Sequence, residues 1–178
     1  MSLHKRPTTP SIQVFTLPVG VIYLVLFVDL DVNKLAWLGK KYPWEKPSCC
    51  PNCRSFLWWH GYVLAYFSNI DVPLFIRRLF CPFCRSVHRL RPSGYWPRFR
   101  SPVKEIKRSI IHRHNSGSWC KDLPRPRQRQ WWRRLKKTWM GILGLSFSGD
   151  PPQAFEKLLQ RKIIPVSAAT KSENRRLL

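Results

Sequence analysis

Cys50-Pro51-Asn52-Cys53 and Cys81-Pro82-Phe83-Cys84, separated by residues 54–80, decide how this chain folds. Two residues between paired cysteines let a tight turn aim both thiolates at one ion, and zinc takes four such ligands tetrahedrally at about 2.3 Å. Proline stands at the same place in both pairs, so each pair is expected to form the same knuckle on a β-hairpin. The reading is one structural Zn2+ held by Cys50, Cys53, Cys81 and Cys84, since a four-cysteine sphere is closed. Cys49 competes with Cys50 only by breaking the matched turns. A disulfide oxidoreductase also carries C-x-x-C, but as one active pair inside a thioredoxin-like pattern that this sequence lacks. Cys49 and Cys120 read as thiols without a partner.

Working outward, Phe56 to Phe67 and Val72 to Phe80 are rich in β-branched and aromatic residues, as strands are. Ser68, Asn69, Asp71 and Pro73 supply turn chemistry between them. A third short strand is predicted from Ser86 to Leu90. His60 and His88 then read as strand residues, because four cysteines already complete a zinc sphere.

Upstream, an apolar run extends from Val14 to Val28. It falls short of the roughly 17 to 25 residues that span a bilayer, Pro18 interrupts it, and Asp29 and Asp31 follow at once. A signal peptide would want small residues at a cleavage site, and Phe27-Val28-Asp29-Leu30-Asp31 offers none. The expected structure is a buried strand over Val21 to Val28, followed by a short helical turn and aromatic linker from Lys34 to Pro47. A membrane is not an expected partner, and the expected location is the cytoplasm.

Downstream, Ser101-Pro102 offers an N-cap and a first-turn proline, and Val103, Ile106, Ile110 and His114 recur at spacings of three and four. A helix is predicted there, ending at Asn115 to Gly117. A second should run from about Pro126 to Gly141, with Trp132, Leu135 and Trp139 on its inner side. A last helix should start from Asp150 as N-cap and end near Arg161, with a loose tail beyond Pro165. His112 and His114 lie two apart on the first helix and point to different faces, so they cannot hold a metal together.

The charge is extreme, with 32 Lys and Arg against 9 Asp and Glu and a formal net charge of +23. Such a field favours polyanions, nucleic acid first and an anionic membrane second. Between Ser101 and Trp139 stand twelve Lys and Arg and two acids, Glu105 and Asp122. From Arg77 to Arg100 there is no acid at all. Arginine suits bidentate phosphate and guanine contacts. Two helices with a basic second one fit a helix-turn-helix whose recognition helix enters a DNA major groove. Its candidate contacts are Arg125, Arg127, Gln128, Arg129, Gln130, Arg133, Arg134, Lys136 and Lys137, with Arg77 and Arg78 from the cysteine unit. Gln128 and Gln130, in the first turns, are placed to read base edges.

Cys50-Pro-Asn-Cys53, Trp58-Trp-His-Gly61, Ile76-Arg-Arg-Leu-Phe-Cys81-Pro-Phe-Cys84 and Arg89-Leu-Arg-Pro92 resemble the N-terminal zinc ribbons of transposases and of small transposon-associated bacterial proteins. Pro124 to Lys136 is similar to the second helix of their helix-turn-helix modules, and the resemblance covers about residues 45 to 140. It implies an α+β chain in which a zinc ribbon precedes a basic helical module. The chain leaves no room for a nuclease domain, and its acids are scattered singly, whereas metal-dependent strand transfer needs several carboxylates together. The implied role is therefore a non-catalytic, zinc-dependent binder of double-stranded DNA that assists a mobile element, with a transposase or integrase as protein partner.

The expected organisation is an N-terminal strand and linker (1–47), a zinc ribbon (48–92), a helix-turn-helix-like module (93–145) and a C-terminal helix with its tail (146–178). Two rivals remain open. One is an RNA-binding ribbon stacking unpaired bases on Trp58, Trp59 and Tyr62. The other is a basic protein tethered to a membrane by Val14 to Val28.

Overall fold

Residues 24–167 are described by the computed structural model, and they fall in two compact units that meet at Arg100 and Ser101. Among the described residues the fold is α+β, with four strands in one sheet and four α-helices. The first unit contains β1 (Leu24–Val28), α1 (Val32–Leu38), β2 (Trp58–Ala65), β3 (Leu74–Phe80) and β4 (Val87–Pro92). The second contains α2 (Val103–Ser116), α3 (Arg125–Ile142) and α4 (Pro151–Gln160). Among the described residues no helix is long and apolar enough to cross a membrane. Most of the run from Val14 to Val28 lies outside the described residues.

The strands stand in the order β1-β4-β3-β2, with β1 parallel to β4 and the other pairs antiparallel. The strand preceding the cysteine unit therefore belongs to the same sheet, and the boundary expected at residue 47 does not exist. Nor does the one at residue 92. Tyr95 and Trp96 are buried in the first unit, and the Arg100 carbonyl accepts from the Ser68 amide at 2.9 Å. α1 starts earlier than expected because the Asp31 carboxylate accepts from the Asn33 and Lys34 amides and so caps it.

The sheet buries opposite faces at its two ends. Leu79 turns to one face, where it packs with Leu26, Leu57, Leu90 and the cysteines. Leu74 and Ile76, of opposite parity, turn to the other and pack with Leu35 of α1, Phe67 and Tyr95. A bulge in β2 accommodates the change. Trp58 and Trp59 pair with Phe80 and Leu79, yet Tyr62 pairs with Arg77, so His60 and Gly61 together oppose Arg78. Gly61 sits there at φ 73°, a left-handed conformation that glycine adopts without steric penalty. The extra residue shifts the alternation, so Tyr62 shares a face with Trp59 rather than with Trp58.

In the second unit each helix packs on the other two. α2 buries Ile106, Ser109 and Ile110, while His114 is exposed and lies 3.5 Å from Asp150, outside the stripe expected of it. Ser101 does not cap α2. Pro102 is extended, at ψ 149°, and occupies the cap position, while the buried Ser101 hydroxyl accepts from Arg127 at 3.2 Å. α3 buries Gln128, Trp131, Leu135 and Thr138, a stripe at spacings of three and four. The inner tryptophan is thus Trp131, whereas Trp132 and Trp139 flank the stripe half-buried. α4 starts as expected at Asp150, whose carboxylate and Gln153 form a reciprocal capping box. It packs with α2 and α3 and is not a separate C-terminal segment.

Candidate metal centre and basic helix face

The two knuckles are built alike. The Cys50 amide donates to the Ser55 carbonyl at 2.7 Å and the Cys81 amide to the Ser86 carbonyl at 3.0 Å. The residue after each second cysteine, Arg54 or Arg85, takes a left-handed conformation, with φ 61° and 56°. Both turns thus fold back so that their thiols converge.

The four Sγ atoms of Cys50, Cys53, Cys81 and Cys84 all lie within 4.8 Å of one another. Cys50 and Cys84 are 3.7 Å apart, and Cys53 and Cys81 are 3.4 Å apart. A tetrahedron with metal–sulfur bonds of about 2.3 Å has edges of about 3.8 Å, and a disulfide bond is about 2.05 Å. The spacing fits four ligands around one metal ion, and the cysteines are not paired as disulfides. Cys49 stays outside the cluster, and Cys120 is buried in the second unit.

The thiols are not equivalent. Burial pushes Cys50 up to about 12 and also raises Cys81. The Ser86 hydroxyl, 3.2 Å away, holds Cys84 down to about 6, and the Ser55 backbone holds Cys53 below the ordinary thiol value. At neutral pH Cys84 is poised as thiolate while Cys50 keeps its proton. Metal entry must displace that proton, so affinity should fall as pH falls.

Ser55 and Ser86, which the expectation did not include, carry a signal in the sequence. The repeat is longer than the cysteine pairs, Cys-Pro-x-Cys-Arg-Ser at both 50–55 and 81–86.

His88 is a strand residue, as expected, but it also touches the site. Its Nε2 lies 3.2 Å from the Cys50 sulfur, and its side chain is fully buried. Burial lowers its pKa, so the ring is neutral, and Nδ1 has no hydrogen-bond partner. Once metal entry has displaced the Cys50 proton, the single ring N–H placed on Nε2 would give that thiolate a donor. His88→Phe keeps a planar ring, though a larger one, and removes that bond, so metal affinity should drop by about tenfold in a chelator competition. An unchanged affinity would mean that the ring only fills space.

The basic residues divide by position. On α3, Arg125, Arg129, Gln130, Arg133, Lys136 and Lys137 are exposed, opposite the buried stripe. Arg134 is half-buried on the flank, and Arg127 is held by Ser101. α3 contains no acidic residue. Among the described residues, the contacts between carboxylates and basic side chains in this unit involve α2 instead. Lys107 meets Glu156 at 2.6 Å, Arg108 meets Asp122, and His114 meets Asp150. Among the described residues no carboxylate pairs with an α3 cation.

Gln128 does not lie on that face. It is 1% exposed, and its amide oxygen accepts from the Ser109 hydroxyl at 2.9 Å and the Cys120 amide at 3.0 Å. Its NH2 donates to the Cys120 and Leu123 carbonyls, each at 2.8 Å. The base-reading role expected of it is therefore withdrawn, since the side chain pins α2 and the following loop to α3. Arg77 and Arg78 are also split, since neighbours in a strand face opposite ways. Arg77 lies over the Trp59 and Tyr62 rings at 4.6 and 4.3 Å, while Arg78 approaches Gly61 on the other face.

No family model, no curated protein and no solved structure matches the chain.

Proposed function

We propose that this chain is a zinc-dependent DNA-binding protein that acts without catalysis, with a four-cysteine zinc ribbon in its first unit and a duplex-contacting helix, α3, in its second. The observation that carries it is the outward face of α3. Five cations stand there, Arg125, Arg129, Arg133, Lys136 and Lys137, while Asp122, Asp150 and Glu156 meet basic side chains of α2. A row of cations without carboxylate partners over several helical turns attracts phosphates, and it is more than solubility requires.

Zinc is the metal because four thiolates in a closed tetrahedral set suit it, and because a site without an open position is structural. The helix-turn-helix reading needs revision. Residues 117–124 connect α2 to α3, a longer link than the roughly three- to four-residue turn of that motif. With Gln128 buried, Gln130 is the remaining exposed amide of α3. The helix is accordingly read as gripping backbone first, with base selection resting on Gln130 and arginine. Service to a mobile element, with a transposase or integrase as partner, rests on the resemblance of residues 45 to 140 alone.

The test is a salt titration of full-length protein on duplex DNA. Arg133→Ala should weaken every duplex alike and flatten the log–log salt slope by about 0.9. If the slope is unchanged for Arg129→Ala, Arg133→Ala and Lys137→Ala alike, α3 does not contact the phosphates.

A further inference from the structure

The bulge in β2 and the crossed burial of the sheet leave one face open at the cysteine end. On that face the register aligns Trp58 with Phe80 and Phe80 with Val87, and the next row aligns Arg78 with Arg89. His60 joins them, its ring 5.7 Å from that of Phe80, and Phe56 lies 5.9 Å from Trp58. None of these side chains is buried, and Trp58 is 56% exposed. Strands β2, β3 and β4 contain no Asp or Glu. The Arg78 side chain is half-buried, and its Nε is itself buried without a hydrogen-bond partner.

Exposed rings at strand spacing, bordered by guanidinium groups and free of carboxylates, match what an unpaired nucleic-acid strand requires. Each base has a π-face to stack, and each linkage carries a charge. A membrane would meet rings held on a rigid sheet rather than an amphipathic helix. We infer that this sheet face binds single-stranded DNA, stacking bases on Trp58, His60 and Phe80 while Arg78 and Arg89 meet the phosphates. The surface differs from a simple set of exposed aromatics, because Trp59 and Tyr62 point away from it and clasp Arg77. The choice of DNA over RNA rests on the duplex reading of α3.

The experiment uses the full chain, an oligothymidylate of about 12 nucleotides, its oligouridylate counterpart and a duplex. Trp58→Ala should weaken oligothymidylate binding by about tenfold and leave duplex affinity unchanged, while Trp58→Phe, which keeps a ring, should stay within about threefold of the wild type. Trp59→Ala, on the opposite face, should change neither. Trp58 is exposed, so its replacement should keep the fold, which circular dichroism checks. The inference is overturned if Trp58→Ala binds the single strand as the wild type does, if Trp59→Ala loses as much, or if oligouridylate binds more tightly. Failure of the α3 reading shows separately, as a duplex salt slope that α3 substitutions do not alter.

Discussion

Chelating the zinc that we propose between Cys50, Cys53, Cys81 and Cys84 should unfold the first unit and leave the second helical. Structural zinc in small domains supplies about 10–16 kcal/mol at neutral pH, as much as the whole stability of an ordinary domain. Here the ligands are part of the core. Cys50 and Cys81 are fully buried and pack with Leu26, Leu57, Leu79 and Leu90. Without the ion, two buried thiols face two that are held toward thiolate, with nothing to neutralise them. Amide exchange reads the outcome. Protection at Leu79, His88 and Leu90 should be lost on chelation, and likewise in Cys53→Ser, while that at Leu135 and Leu158 persists. Unchanged protection across β3 and β4 would show that the sheet stands without metal.

The second large effect concerns Gln128. Gln128→Leu leaves the Ser109 hydroxyl, the Cys120 amide and the carbonyls of Cys120 and Leu123 without their partner in a buried place. Each unsatisfied buried group costs about 1–3 kcal/mol, so the second unit should lose about 3 kcal/mol or more. A denaturant titration of helical signal measures it. The companion expectation is that any loss of DNA binding follows unfolding and is the same for every duplex. A base contact would behave otherwise, with stability kept and preference at one position relaxed by about 1–3 kcal/mol.

Local chemistry was legible in the sequence, and long-range placement was not. The cysteine pairs announce their convergence because two intervening residues fix a turn wherever it lies. Asp150 announces a helix start for the same reason, through a contact with Gln153 three residues on. By contrast, nothing local says that β1 pairs with β4, since a parallel pairing across residues 29–86 depends on the whole unit. The β2 bulge escaped because nothing local marks it, and one residue out of register inverts the faces that follow, so that Trp58, which the expectation grouped with Trp59 and Tyr62, faces the other way from both. On α3, Trp131 and Trp132 are adjacent and both apolar, so helical periodicity alone leaves the inner one ambiguous by a fraction of a turn. Gln128 among arginines reads as surface, and only the loop that brings Cys120 and Leu123 to it reveals a buried pin.

The metal sphere itself is the point from which the rest follows, and zinc-edge X-ray absorption on the purified full chain addresses it directly. One zinc per chain with four sulfur neighbours at about 2.3 Å is the expected result. A sphere of three sulfurs and one imidazole nitrogen, with His88 displacing Cys50, or a folded chain without metal, would contradict it.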